Sequence, residues 1–322
     1  MQLSVIIPTF RRPELLKRCL QALTHQTLDP AAYEILVVDD DNDISTRVQV
    51  LSIAAHTNVR IRYYGQPQRR GPAAARNRGW QQARSPYVAF TDDDCIPDSN
   101  WLNVLLDAFA QGAQVITGRV VVPLSEAPTD YDRTTALLET AEFVTANCAC
   151  IRSLLEQVGG LEEQFDRAWR EDSDLQFKFI QHGIPIVKSN QAVIIHPIRS
   201  AKCWGCLKDE SKNRYDALLY KRHPQLFRER IPTYAPLVRL YYTLVVSFLL
   251  GLGSGLAGAG TVSTVAFAIW ALGTLILVGW RLRNTAQPLR HLPTTLVSAL
   301  ATPFLSIYWR LYGAVQYRVL YA

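Results

Sequence analysis

The chain has 322 residues, of which 48% are hydrophobic and 19% are charged, and this composition fits a globular protein with one large or two ordinary domains. The net charge of +6 comes entirely from residues 231–322, which contain six arginines and no acidic residue. Arginines spread among apolar segments suit phospholipid better than nucleic acid. We therefore expect membrane lipids as partners and exclude nucleic acid.

The N-terminal part of the chain alternates short apolar runs with helical patterns. LSVIIP and EILVVDD are rich in β-branched residues and end in a breaker or in carboxylates, as buried parallel strands do. Between them, RRPELLKRCLQALTHQ places its apolar residues on one helical stripe, and VRIRYYG, GPAAARNRGWQQAR and YVAFTDDD continue as strand, helix and strand. This βαβαβ series predicts an α/β fold with a mostly parallel sheet flanked by helices.

Polar residues cluster where these predicted strands end. Pro8, Asp39–Asp41 and Asp92–Asp94 lie at such ends, and ligands of parallel sheets bind at the carboxyl ends of the strands. Three adjacent carboxylates repel one another and raise one another's pKa, so they need a positive partner. Mg²⁺ or Mn²⁺ suits such oxygen ligands when the phosphates of a bound molecule complete the coordination. Taken alone, a solvated turn with an aspartate cap is the alternative.

A different pattern follows this series. NCACIR and IPIVKSNQAVIIHP are predicted strands, and REDSDLQFKFIQHG is a predicted helix that ends at Gly183. Asp172 lies at the start of this helix, where backbone N–H groups favour a carboxylate. A further amphipathic helix is predicted over residues 203–223. We therefore divide the polar part of the chain into two halves, residues 1–125 and 126–230.

The six cysteines are most simply free thiols, because we expect the polar part of the chain in the cytosol. Cys148 and Cys150 in NCAC and Cys203 and Cys206 in CWGC could together make a four-thiolate zinc site. The two pairs are far apart in the sequence and lack the compact double CxxC spacing. Zinc is therefore the less favoured alternative.

The strongest compositional signal is the stretch Leu240–Trp280, whose 41 residues include no Asp, Glu, Lys or Arg. One bilayer crossing needs about 20 such residues, so the stretch predicts two transmembrane helices, about 238–258 and 262–281. The Gly-rich GLGSGLAGAGT joins them. A buried helical hairpin of a soluble domain is the less favoured alternative, because no amphipathic face is present to meet water.

The arginines predict the orientation of this hairpin. Arg239 precedes the first span and Arg281 and Arg283 follow the second, whereas the turn between the spans has no positive residue. Both flanks are therefore expected on the cytoplasmic side. MQLSVIIPTF has the pattern of a strand rather than of a signal peptide. We expect a multi-pass protein of the cell inner (plasma) membrane whose large polar part lies in the cytoplasm.

Residues from about 292 to 320 form a second apolar segment of this region. Its uncharged part is interrupted by Pro293 and Pro303, and the RLYGAVQYRVLY that follows mixes Arg with Tyr. We predict an interfacial or re-entrant segment that lies on anionic lipid, with a third span as the lesser alternative. Residues 231–322 are thus predicted to be a membrane-associated region.

Six motifs follow one another along roughly residues 3–200, namely SVIIPTFRR, YEILVVDDDNDIST, GPAAARNRG, FTDDDCIP, NCACIRSLLEQVGGLEEQF and REDSDLQFKFIQHG. Each motif is weak by itself, but the series resembles the family-2 glycosyltransferases, which have the nucleotide-diphospho-sugar-binding GT-A fold. The resemblance implies an α/β GT-A domain with a mostly parallel, Rossmann-like sheet. Here the predicted two-helix transmembrane hairpin and the interfacial segment follow that domain.

The resemblance assigns roles on the donor side to three residues of the first half. Pro8 begins the loop that lines the nucleotide. Asp40 resembles the carboxylate that accepts the N3–H of a uracil, which favours a UDP-sugar as donor. Arg76 resembles the arginine that faces the diphosphate, and a cation there suits phosphate geometry.

The three carboxylates after the fourth strand match the family's Asp-X-Asp element. By this resemblance Asp94 binds the metal, Asp92 binds the ribose or a metal-bound water, and Asp93 lines the nucleotide site. His196, at the end of AVIIH, either approaches the metal or the diphosphate or is a core histidine. The implied cofactor is Mn²⁺ or Mg²⁺, which would bridge the β-phosphate and lower the cost of diphosphate departure.

On the acceptor side, Asp172 in the RED motif resembles the general base that deprotonates an acceptor hydroxyl, and Glu171 is expected to position the acceptor or the base. A single displacement at the anomeric carbon implies inversion. The Gln-x-x-Arg-Trp element of processive polysaccharide synthases is absent from residues 200–230. We therefore expect the transfer of a single sugar.

The predicted hairpin favours a lipid or lipid-linked acceptor at the cytoplasmic face. A polyprenyl phosphate is an alternative acceptor, and because it is already ionised it would not need Asp172 as base. A membrane-anchored scaffold on a degenerate GT-A fold is the rival from another class, and the intact Asp40, Asp94 and Asp172 disfavour it. A nicotinamide-dependent Rossmann enzyme would need a G-x-G-x-x-G turn after the first strand, which this sequence lacks. Whether the protein forms a homo-oligomer does not follow from the sequence.

Overall fold

The computed structural model describes residues 1–198, 205–231, 235–283, 285 and 287–321. An eight-stranded sheet organises the N-terminal part of the described chain. Its strands β1 to β8 are Leu3–Thr9, Tyr33–Asp39, Arg60–Gly65, Tyr87–Thr91, Ile96–Pro97, Val115–Val121, Asn147–Ile151 and Ile186–Ile195.

Thirteen α-helices, α1 to α13, connect these strands and then continue beyond them in the described residues. The helices of the N-terminal part are Pro13–Thr24, Ile44–Ala54, Pro72–Gln81, Trp101–Ala110, Asp130–Ala136, Arg152–Val158 and Glu171–Gln181. The helices after β8 are Gly205–Asp209, Arg214–Arg222, Pro224–Arg230, Ala235–Leu256, Gly260–Arg283 and Pro288–Gln316.

The spatial order of the strands is β3-β2-β1-β4-β7-β6-β8-β5. The first four in this order are parallel, and they form the βαβαβ series that the sequence predicts. The rest of the sheet is mixed, because β7 runs antiparallel to both β4 and β6 whereas β8 is parallel to β6. The carboxyl ends of the four parallel strands lie side by side. Asp39 is the last residue of β2, and Asp92–Asp94 follow β4.

Both faces of the sheet are covered by helices, which is why β1 and β2 are buried along their whole length and mostly apolar. Leu3 and Val5 on β1 pack into one core cluster with residues of α1 and α4. Ile6 on the same strand points to the opposite face and packs with residues of α3 and α7. Each such fully buried side chain contributes about 1.5–3 kcal/mol to folding.

A short strand pairing brings two distant parts of the chain together at the same edge. Ile96 on β5 pairs antiparallel with Ile195 on β8. The residues that flank this pair, Asp94 on one side and His196 on the other, therefore become neighbours although they are far apart in sequence. The two-residue strand β5 thus fixes a carboxylate against an imidazole.

The chain divides into two compact units. The first comprises Met1–Pro123 and Ala136–Ile198 and contains the whole sheet. The second comprises Leu124–Thr135 and Arg199–Ala322 and contains the helices α8 to α13. The division into a nucleotide-sugar half, an acceptor half and a membrane region stays a prediction.

In the second unit, α11 and α12 pack against each other as a hairpin, at the positions predicted for the apolar stretch. The two helices have 22 and 24 residues and mean hydropathies of 1.6 and 2.1, which is long and apolar enough to cross a membrane. Large apolar side chains on both helices are exposed, including Leu249, Leu250, Leu272 and Leu275. Exposure of this kind is unfavourable in water and is typical of a surface that meets lipid or a partner.

The last helix departs from its prediction. α13 runs from Pro288 to Gln316 through both Pro293 and Pro303, which we expected to interrupt the segment. A proline removes one N–H donor and bends a helix, but neighbouring helices can hold the helix together across it. α13 packs against α9, α11 and α12. Its placement on the membrane surface stays a prediction.

The amphipathic helix predicted over residues 203–223 is divided in the structure. Within the described residues, α8 and α9 are separated by a tighter helical turn at Glu210–Asn213. The buried Ser211 hydroxyl donates to the carbonyl of Lys208 at 2.7 Å. Side chains that bond the local backbone compete with the regular α-helical ladder, and this accounts for the break.

The cysteines in the described part of the chain are free thiols, as predicted. Cys19, Cys95, Cys148 and Cys150 are all buried and unbridged. The CWGC pair considered for zinc lies outside the described residues, since nothing is described of Cys203 or of the Cys206 side chain.

Gly79 lets α3 lie directly on the sheet. A Cβ at this position would lie 2.3 Å from Cγ2 of Ile6 and 3.3 Å from Cγ2 of Val38. We expect Gly79→Ala to lower the free energy of unfolding by about 1–3 kcal/mol through overpacking. Urea denaturation of the purified protein measures this change. Gln81→Ala, on the exposed end of the same helix, is the matched control and should be near neutral; equal effects of the two substitutions would contradict the close packing.

Candidate active site

Three adjacent carboxylates follow β4, and we call Asp92–Asp94 the acidic tip. Asp92 Oδ1 accepts a hydrogen bond from Arg76 Nη2 at 2.6 Å. Asp93 accepts from the Thr9 hydroxyl at 2.8 Å and from Arg12 Nη1 at 3.3 Å. Two arginines therefore offset part of the repulsion within the tip through the protein's own charges.

Burial dominates the chemistry of the middle carboxylate. Desolvation raises the pKa of Asp93 to about 6, although the nearby Arg12 guanidinium opposes the shift. Thr9 ends β1 and connects this strand end to two others. Its carbonyl accepts the N–H of Asp40, after β2, at 2.9 Å, and its hydroxyl donates to Asp93, after β4. The structure thus places Asp93 inside the site wall rather than in solvent.

Asp94 faces a different partner. Its Oδ1 lies 3.7 Å from Nε2 of His196, and the Cys95 sulfur lies 4.0 Å from the same oxygen. One potential ligand atom from each of the three residues lies within 4.8 Å of the others. His196 Nδ1 is buried and has no hydrogen-bond partner among the described residues. A carboxylate oxygen and an imidazole nitrogen at this spacing fit a divalent ion such as Mn²⁺.

Cys95 is the weakest of these three potential metal ligands. Burial, followed by the charges of Asp92 and Asp94, raises the pKa of its thiol well above the usual value. A neutral thiol is a poor ligand for a hard cation. Asp92 is bound to Arg76, so its predicted role toward the ribose or a metal-bound water stays a prediction.

Arg76 connects the donor-side and acceptor-side predictions. It lies on α3, is only 2% exposed, and donates to Asp92 as well as to Glu171 Oε1, the latter at 3.1 Å. Burial opposes its charge, but the two carboxylates outweigh this cost and raise the pKa of the guanidinium above its usual value. The structure therefore directs Arg76 toward two carboxylates, and its predicted contact with a diphosphate stays a prediction.

Glu171 and Asp172 open α7, as the sequence predicts. Arg170 precedes them with a left-handed φ of 72°, and Asp172 Oδ1 accepts the N–H of Ser173 at 2.7 Å. Burial, then the neighbouring Asp172 charge, raises the pKa of Glu171 to about 7. Burial also raises the pKa of Asp172. The pair is therefore more basic than exposed carboxylates would be.

Asp40 follows β2 and organises the loop in front of α3. Its Oδ1 accepts the N–H of Arg70 at 2.8 Å and the Gln66 amide at 3.0 Å, and its Oδ2 accepts the N–H of Gly71 at 2.8 Å. Gly71 has a φ of 89°, which disfavours other residues there. Pro8 lies inside β1 and pairs with Val38 rather than beginning the loop itself.

Three residues that contact the predicted site were not singled out from the sequence. Arg12 and Thr9 bind Asp93, and Gln66 binds Asp40. Thr9 is the last residue of β1 and Arg12 follows it closely, so their position at a strand end was a usable signal. Gln66 directly follows Gly65, the last residue of β3, and could have been included by the same rule.

Comparisons with known proteins identify the family of the chain. Residues 4–164 match the family model described as Glycosyl transferase family 2. The chain is 26% identical over 314 residues to the pre-mycofactocin glycosyltransferase of Mycobacterium tuberculosis, with 92% of this chain and 60% of that protein covered. It is 32% identical over 122 residues to the GalNAc(5)-diNAcBac-PP-undecaprenol beta-1,3-glucosyltransferase of Campylobacter jejuni, with 38% of each chain covered. The chain thus spans about three fifths of the length of the mycobacterial relative.

The fold also resembles a solved structure, the mannosyltransferase PcManGT from Pyrobaculum calidifontis in complex with GDP-Man and Mn²⁺. The TM-score is 0.61 at 17% identity, and the match covers 97% of this chain and 87% of that one. A likeness at this identity concerns the fold alone. Together with the family match, it confirms the predicted fold class, a GT-A domain followed by an apolar hairpin.

Removing the charge of Arg76 should strongly destabilise the first unit. Arg76→Gln leaves the buried Glu171 and the partly buried Asp92 without their cation, and breaking a buried pair costs about 3–5 kcal/mol. The free energy of unfolding in urea measures this loss. Arg84→Gln, an exposed arginine shortly after the same helix, is the matched control. Adding Glu171→Gln to Arg76→Gln should recover part of the loss, and a double variant no more stable than the single one would contradict the bridge.

Proposed function

Because this chain belongs to glycosyl transferase family 2, we propose that it transfers a single sugar from a nucleotide-diphospho-sugar to a lipid or lipid-linked acceptor, with inversion at the anomeric carbon. The ion-pair chain Asp92–Arg76–Glu171 is the observation that carries the proposal, because it joins the predicted donor side to the predicted catalytic pair. The Campylobacter jejuni relative, whose name specifies an undecaprenol-linked substrate, supports the acceptor class.

The donor's diphosphate requires positive charge. We assign Asp94 and His196 to hold Mn²⁺ or Mg²⁺, with Asp92 as a further ligand, directly or through water. Support comes from the 3.7 Å approach of Asp94 to His196 and from the Mn²⁺ bound by the Pyrobaculum protein. When bound, such an ion neutralises the charge that develops on the departing diphosphate.

The acceptor is activated by Asp172 in this proposal. Its carboxylate takes the proton of the acceptor hydroxyl while that oxygen bonds to the anomeric carbon and the bond from that carbon to the diphosphate breaks. Burial raises the pKa of Asp172, which makes it a stronger base than an exposed aspartate. Glu171 is held by Arg76 beside it and positions the base or the acceptor.

A UDP-sugar is the favoured donor. The Asp40 carboxylate is 4% exposed and accepts three hydrogen bonds from the loop before α3. A carboxylate offers about four acceptor sites, so Asp40 can accept the N3–H of uracil as well. The Pyrobaculum protein binds GDP-Man instead, and a donor comparison must therefore include both nucleotides.

The location proposed is the cell inner membrane, with α11 and α12 as spans and the sheet on the cytoplasmic side. The exposed leucines of both helices and their mean hydropathies of 1.6 and 2.1 support the spans. Arg239 and Arg281 at the same end of the hairpin support the orientation. An enzyme placed there meets cytoplasmic nucleotide sugars and membrane-bound acceptors together.

The direct test is a donor screen with the detergent-solubilised protein, a membrane lipid extract and Mn²⁺. We expect one UDP-sugar to be turned over faster than the GDP-sugars, because Asp40 favours uracil. EDTA should abolish turnover and added Mn²⁺ should restore it, and Asp94→Asn should weaken the Mn²⁺ response. Release of nucleoside diphosphate is the measurement. If no donor is turned over, the result would instead favour the hypothesis of a membrane-anchored scaffold on a degenerate GT-A fold.

Asp172→Asn separates the two acceptor classes. With a hydroxyl acceptor, loss of the general base should lower transfer by about 10²–10⁴-fold. Transfer of radiolabelled sugar into extracted lipid measures this, and unchanged donor affinity by calorimetry shows that the site is intact. Asp107→Asn, the same exchange at an exposed position of α4, is the control. If Asp172→Asn keeps near wild-type transfer, the acceptor is an already ionised polyprenyl phosphate.

A further inference from the structure

A cavity of about 390 Å³ lies entirely within the second unit. Residues of α11, α12 and α13, of the turn before α9 and of the short segment around Tyr131 line it. Its volume falls in the range of small-molecule sites. None of the predicted catalytic or metal-binding residues contributes to it, so its occupant is a separate question.

One wall of the cavity presents a cation at the end of the apolar hairpin. Arg281 lies near the C-terminal end of α12, next to Trp280, and is half-buried. It donates to the Ser298 hydroxyl at 2.8 Å and to the Tyr241 hydroxyl at 3.2 Å. These two bonds fix the guanidinium plane, and the remaining N–H groups of its five can bind a ligand.

Hydroxyl groups extend this polar wall along the last helix. Thr295, Ser298 and Thr302 line the cavity and recur at intervals of three and four residues, so they share one face of α13. Thr302 is buried at the base of this row. Ser298 donates its hydroxyl to the carbonyl of Thr295 at 2.9 Å and accepts from Arg281, so it holds the arginine in place. The donors that suit a phosphate are therefore Arg281 and the hydroxyls of Thr295 and Thr302.

The acidic residues of the cavity already have partners. Asp209 lies 3.0 Å from Lys212, and Glu210 accepts from Asn213 at 2.6 Å. The charges of Arg281 and Arg310 also stabilise the Glu210 carboxylate. Two cations therefore act on one carboxylate, and a bound anion would neutralise the excess positive charge at Arg281.

The apolar part of the cavity and its position favour a lipid as the source of that anion. Leu237 and Trp280 line it beside the hydroxyl groups, and Trp280 is 41% exposed. Tryptophan and arginine at the end of an apolar helix mark the membrane–water interface. A phosphate placed at Arg281 would lie where lipid headgroups lie, with its tail along the exposed leucines of the hairpin.

We propose that this cavity binds the phosphate group of the membrane lipid acceptor, with Arg281 as its anchor. The inference rests on the proposed function, from which it takes the lipid acceptor and the membrane position. It adds the site and the chemical class, a lipid in which a phosphate links a single apolar tail to the group that carries the acceptor hydroxyl. The hydroxyl row of α13 and Arg281 recognise the phosphate, and the hairpin surface accommodates the tail.

Native mass spectrometry of the full chain in detergent tests this with geranylgeranyl phosphate as the probe. Geranylgeraniol has the same tail without phosphate, and we expect it to bind roughly ten- to a hundredfold more weakly, the effect of one or two charge-assisted hydrogen bonds. Arg281→Gln should abolish the difference between the two. Arg283→Gln, an exposed arginine two residues away, should retain it.

Further arms keep the result interpretable. Thr295→Leu fills the cavity without removing either hydrogen bond of Arg281, and it should lower binding even if Arg281→Gln folds poorly. Equal binding of geranylgeraniol, or full binding by Thr295→Leu, would overturn the proposal. Displacement of the probe by equimolar inorganic phosphate or phosphatidylglycerol would also overturn the proposal, because the site would then recognise free phosphate or any anionic lipid. Donor turnover by the wild-type protein, measured separately, shows whether the proposed function itself has failed.

Discussion

The bridge that Arg76 makes between Asp92 and Glu171 is the interaction on which the rest of the site depends. One guanidinium, almost without solvent contact, holds carboxylates that arrive from the end of β4 and from the start of α7. It balances one negative charge and leaves Asp172 and the rest of the acidic tip in excess. Because that excess is largely buried, it raises the pKa of the carboxylates and would be offset by the divalent ion that we propose.

The sequence predicted those parts of the fold and site that follow from local patterns. The parallel strands, α7 and the apolar hairpin all have a periodicity or a composition that is visible within one window of residues. The acidic tip could be found because strand ends meet at one edge of a parallel sheet. The partner of Arg76 could not, since an ion pair between α3 and α7 depends on how two helices pack and leaves no local signal.

The helices after β8 show which structural features amino-acid composition alone does not predict. Two long apolar helices could be predicted from an uncharged stretch, whereas the continuity of α13 through Pro293 and Pro303 depends on the helices packed beside it. There, tertiary contacts override the local preference of the sequence. The break between α8 and α9 depends instead on a local hydrogen bond from the Ser211 hydroxyl to the backbone.

The pairing of Ile96 with Ile195 has a consequence for the order of folding. The two strands are separated in the sequence by β6 and β7, so closing them carries a large loop-closure entropy and comes late. Asp94 and His196 meet only after that step. A nascent chain that has made β1 to β4 but not β8 already carries its acidic tip, yet it lacks the imidazole, so the proposed cation site is complete only in the finished domain.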